Sequence, residues 1–117
     1  MKVLITILSI VFIASGSAKL FALDFELQAF ERWGYDIWFM YFIGAAEVAG
    51  GIALHIRQLK FLAAPALTLL MLGALYTHFN FNEWPMLFLA LTITAISAFV
   101  SYRLIIEFLI SKRKAVE

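Results

Sequence analysis

The stretch Tyr41-Phe42-Ile43-Gly44-Ala45-Ala46-Glu47-Val48-Ala49-Gly50-Gly51-Ile52-Ala53-Leu54 is a long apolar run with one carboxylate in its middle. A helix of about 20 residues, rising about 1.5 Å per residue, crosses a hydrocarbon core about 30 Å thick. Residues 36–56 fit that length and leave Glu47 near mid-depth. An ionisable group there costs roughly 2.5–3.5 kcal/mol on insertion scales, so it must face protein or water rather than lipid. The remaining helices are then expected to form the bundle that shields Glu47.

Composition supports a membrane chain. Its 117 residues are 64% hydrophobic and only 15% charged, with a mean hydropathy of +0.94. A soluble domain of this size needs a polar surface that such a composition does not supply, so one transmembrane domain over residues 1–117 is expected. The formal net charge of +1 gives no electrostatic basis for binding nucleic acid or an acidic substrate. The absence of cysteine excludes disulfides, thiol redox chemistry, iron–sulfur clusters and thiolate metal sites within the chain.

The fold expected is an all-α integral membrane four-helix bundle with spans at residues 3–22, 36–56, 61–79 and 85–110. The first begins with Lys2 and passes through Ser15-Gly16-Ser17-Ala18. Those features also suit a secretory signal cleaved near residue 18, but apolar character resumes at Leu20, which favours an uncleaved span. Between the first two spans, Leu23, Leu27, Phe30 and Trp33 recur at helical spacing, with Asp24, Gln28, Glu31 and Arg32 on the other face. A short amphipathic helix in the membrane interface explains this pattern, with an ordered loop as the alternative. Pro65 falls in the first turns of the third span, and Pro85 opens the fourth at a favoured helical position.

Basic residues set the orientation. Lys2, Arg57, Lys60, Lys112, Arg113 and Lys114 fall on one side, against Arg32 and Lys19 on the other. The positive-inside rule therefore places both termini in the cytoplasm of a bacterial inner membrane, and Trp33, Trp38 and Trp84 form a belt at the opposite interface.

Depth arithmetic then selects candidate site residues. Lys19 lies about 24 Å above Val3, and His78 about 25 Å above Phe61, both near the outer edge of the core. Glu47 lies about 15 Å below that edge, within reach of a lysine stem about 6 Å long. A Lys19–Glu47 pair is expected if the first two spans are neighbours, with His78 able to join from the third. The alternatives are a snorkelling lysine, a wet interfacial histidine and a structural carboxylate that ties helices together. Small residues Ala14, Ala18, Ala46, Gly50, Gly51 and the pair Gly73-Ala74 are read as helix-packing faces. Arg103 and Glu107 are read as a local pair one turn apart. His55 and His78 sit near opposite ends of their helices, so they cannot both ligate one haem, and no His/Asp/Glu spacing supports a metal site.

Several motifs point further. Gly16-Ser17-Ala18-Lys19-Leu20, Gly44-Ala45-Ala46-Glu47-Val48-Ala49-Gly50-Gly51, Leu62-Ala63-Ala64 and Met71-Leu72-Gly73-Ala74-Leu75-Tyr76-Thr77-His78 occur in this order. Together they resemble the DoxX and DoxX-like family of small bacterial membrane proteins over nearly the whole chain. The resemblance implies a four-helix membrane bundle with Lys19, Glu47, Thr77 and His78 as its ligand-binding or proton-handling residues. The family name is linked to a thiosulfate:quinone oxidoreductase, and other members are associated with redox or stress complexes through partner subunits. This chain lacks the cysteines that some redox-linked members carry.

Three functions follow as expectations. The first is an accessory or structural component of a membrane complex, contacting a membrane-protein partner or a second copy. The second is a quinone-linked oxidoreductase subunit, with no intrinsic cofactor and with its redox centre on the partner. The third is a carrier or proton path for a small amphipathic ligand, with Glu47 as its mid-depth site.

Overall fold

The computed structural model describes residues 1–116, which form five helices and no strand. They are α1 (Lys2–Leu20), α2 (Asp24–Trp33), α3 (Ile37–Ala53), α4 (Lys60–Asn80) and α5 (Trp84–Val116). Three of these, α1, α4 and α5, are long and apolar enough to cross a membrane. Between 28% and 33% of their most apolar windows is buried within the chain. The outward surface is therefore apolar as well, carrying Ile10, Leu69, Tyr76, Phe88 and Tyr102 exposed. Helices apolar on all sides suit a lipid surround.

The helices associate chiefly as two pairs, α1 with α3 and α4 with α5. The first pair is set by glycine. A Cβ on Gly16 would come within 2.5 Å of the Gly44 carbonyl oxygen, and one on Gly44 within 2.8 Å of the Lys19 Cβ. Only bare backbone allows this approach. Further down, Ser9 Oγ donates to the Gly51 carbonyl at 2.8 Å. The close seam thus runs through Gly16, Gly44 and Gly51. Ala14, expected on it, faces outward, and Gly50 instead meets Leu67 of α4.

The pairs join through a core at one end of the molecule. Ile5, Leu8, Phe12, Leu54, Ala63, Ala64, Leu67, Val100 and Leu104 form it, most of them almost wholly buried. Phe61 and Phe108 stack beside it with ring centroids 3.9 Å apart.

Three sequence expectations change. α3 ends at Ala53 rather than Ile56, because its last turn tightens: His55 N–H bonds the Ile52 carbonyl and Ile56 N–H bonds that of Ala53. α5 continues past Ile110 through the basic tail to Val116. Arg103 lies over the Phe99 ring, 5.9 Å from its centroid, instead of pairing with Glu107.

The two tight connections share a design. The chain leaves α1 through Ala22 at φ 50° and leaves α4 through Asn82 at φ 57°. In the first, Leu23 N–H reaches back to the Ala18 carbonyl; in the second, Glu83 N–H reaches the His78 carbonyl. These are left-handed helix closures, which asparagine tolerates and alanine adopts at a cost of about 1 kcal/mol. α2 ends on the more usual Gly34, at φ 79°. Both turns fold the chain back over the end opposite the core.

Candidate functional site

Towards that end the helix pairs separate and α2 lies across them, leaving a partly open cavity of about 680 Å³. Its walls are largely aliphatic and aromatic, with residues from all five helices and Tyr35 from the α2–α3 link. Gly73 and Ala74, expected to be packing residues, line it instead. A Cβ on Gly73 would meet nothing within 4 Å. Here the small residue makes space rather than contact.

Three polar groups interrupt the walls. In the first, Lys19 Nζ lies 3.0 Å from Glu47 Oε1 and 3.2 Å from Glu26 Oε2, and it donates to Ser15 Oγ at 2.9 Å. All three charged side chains are largely withdrawn from solvent, Glu47 to 8% exposure. Neither carboxylate contact is aligned as a hydrogen bond, and Glu26 Oε2 is buried without accepting one. The ammonium is therefore shared electrostatically between two acids. The depth arithmetic located Lys19 and Glu47; Glu26 was not singled out, although it stands on the first turn of α2 facing α1.

The second group surrounds Glu83, in the turn between α4 and α5. Its Oε2 accepts from Arg32 Nη2 at 2.6 Å and Nε at 3.1 Å. Trp33 Nε1 approaches Oε1 at 3.2 Å, and His78 Nδ1 lies 2.8 Å from Oε1. Burial alone would raise the Glu83 pKa, but hydrogen bonds from His78, Arg32 and Trp33, with the charge of Arg32, hold it below the ordinary carboxylate value. An ionised Glu83 only accepts, so His78 Nδ1 is the donor in this contact. Arg32 and Trp33 belong to the last turn of α2, so this network fastens α2 to the α4–α5 turn.

His78 has a partner that the sequence reading did not name. It lines the same cavity as Glu47, but its hydrogen-bond partner is Glu83, and the Trp33 ring stands edge-on to it at 5.6 Å. The left-handed Asn82 explains this, because it turns Glu83 back onto the last turn of α4. The third group lies nearby: the Thr77 and Tyr35 hydroxyls are 2.9 Å apart, and Thr77 also donates to the Gly73 carbonyl at 3.1 Å.

This arrangement can hold a molecule with an apolar body and a polar head. Among the described residues, no group of three or more His, Asp or Glu side chains could hold a metal ion.

A family model described as the DoxX-like family matches residues 3–100. The chain belongs to the DoxX-like family. Membership and the apolar helices together mark it as a membrane protein. The matched stretch of this DoxX-like chain contains every polar residue of the cavity and ends inside α5. No curated protein and no solved structure matches it.

Proposed function

We propose that α1, α3, α4 and α5 cross a bacterial inner membrane as a four-helix bundle with both termini cytoplasmic. In this reading the chain is an accessory component of a membrane complex, and its outer-half cavity binds a small lipophilic molecule. The orientation rests on the basic residues at the core end and the tryptophans at the cavity end. α3, with 17 residues, spans about 26 Å, slightly less than a typical hydrocarbon core, a mismatch the bilayer absorbs by local thinning.

The observation that carries the ligand reading is the cavity itself. Its volume of about 680 Å³ falls within the range of small-molecule sites, which combine apolar walls with a few placed polar groups. A bundle that served packing alone would gain from closing this space, because voids forfeit contacts. The hydroxyls of Tyr35 and Thr77, with His78 beside them, favour a second reading in which the molecule is a quinone and a partner subunit supplies the redox centre.

Native mass spectrometry of the full chain from mild detergent tests the proposal. Wild type is expected to retain a lipophilic small molecule, and in a Trp38→Phe, Trp84→Phe variant a short-chain quinone is expected to quench the remaining Trp33 fluorescence. Clean protein whose Trp33 emission ignores the added quinone would overturn it.

A further inference from the structure

The charge balance of the cavity narrows its occupant. Resting on the ligand reading above, we propose that the site takes a lipophilic organic cation and releases a proton when the cation binds. Two carboxylates, Glu26 and Glu47, share one ammonium, Lys19, which leaves one negative charge in excess. The second cation nearby, Arg32, is already matched by Glu83.

A surplus charge among largely apolar walls is costly, and it is relieved either by a proton or by a positive guest. Glu26 Oε2 is buried with the shared ammonium at 3.2 Å and no hydrogen bond, so the balance is weakest there. Phe30, Trp33, Tyr35 and Phe39 line the same space as a connected aromatic cluster, with Phe30 and Trp33 centroids 5.2 Å apart. Aromatic rings beside an acid are the usual means of holding a weakly hydrated cation.

The other titratable groups lining the cavity are Tyr35 from the α2–α3 link and Tyr76 and His78 from α4; α5 contributes Met86, Leu89, Ala90 and Ile93, none of which titrates. When the cavity is empty, the Glu26–Glu47 pair shares one proton. When a monocation enters, that proton leaves to water and the pair becomes doubly ionised.

The test uses the detergent-solubilised full chain with two probes, tetraphenylphosphonium and a neutral short-chain quinone, in weakly buffered solution with a pH indicator. The phosphonium is expected to bind with release of one proton, so its affinity should rise by up to about tenfold per pH unit. The quinone should bind without proton release. Glu47→Gln and Glu26→Gln should each abolish the release and weaken phosphonium binding about tenfold or more, while retained quinone binding shows that the variants are folded. Quinone binding without phosphonium binding would overturn the cation assignment, phosphonium binding without proton release would overturn the proton coupling, and either would leave the cavity reading intact. If neither probe binds, both fall.

Discussion

The Gly44 carbonyl occupies the place that a side chain on Gly16 would need. A Cβ there would come within 2.5 Å of that oxygen and 2.9 Å of the Val48 amide nitrogen. Both obstacles are backbone, so neither can rotate away. The crossing also fixes how close Lys19 stands to Glu47, because Lys19 follows Gly16 by one turn and Glu47 follows Gly44 by one turn.

Gly16→Ala is accordingly expected to destabilise the chain by roughly 1–3 kcal/mol, the usual range for overpacking a tight core. Thermal or SDS denaturation in detergent would measure it. Unchanged stability would show that α1 and α3 do not cross at these glycines.

Gly73→Ala should behave oppositely. The added methyl enters open space, and alanine exceeds glycine in helix propensity by about 1 kcal/mol. The variant should be at least as stable as wild type. The bulkier Gly73→Leu should fold and yet lose small-molecule retention, because its side chain fills the cavity. A Gly73→Leu variant that binds normally would place the ligand elsewhere.

Removing Lys19 should harm the chain more than neutralising Glu47. Lys19→Ala leaves two buried carboxylates without their cation, an arrangement that typically costs about 3–5 kcal/mol. Glu47→Gln leaves Lys19 paired with Glu26 and should cost less. Denaturation midpoints of the two variants decide the matter, and equal losses would contradict the shared-ammonium geometry.

Glu83 makes the fastening of α2 sensitive to acid. Its pKa is lowered in the fold from an ordinary value of 4.5, so it binds protons more weakly in the folded than in the unfolded state. The stability it contributes is complete above that ordinary value and is lost as the pH falls through the lower folded one. Hydrogen exchange of the α2 amides should accelerate selectively over that acidic interval. In Glu83→Gln the acceleration should already be present at neutral pH, with no further change contributed by this position.

Much of this was legible in the sequence because helical rise converts residue number into depth. That arithmetic brought Lys19 to Glu47 without knowledge of any contact. It did not foresee the partner of His78, because depth alone does not tell which side of a helix faces which neighbour, and a single left-handed residue, Asn82, returned Glu83 to it. Glu26 escaped notice because the apolar repeat of α2 drew attention to Leu27 and Phe30, while the acid's importance comes from the neighbouring α1. Gly73 was misread for a related reason. Small residues in an apolar helix signal either contact or vacancy, and composition does not distinguish them.

The packed end of the molecule, where Leu54, Leu67, Val100 and Leu104 meet almost without exposed surface, has a consequence for traffic. It closes the chamber at that end of the molecule. On the proposed reading, a guest would leave by the mouth it entered or sideways into the bilayer unless that plug were prised apart.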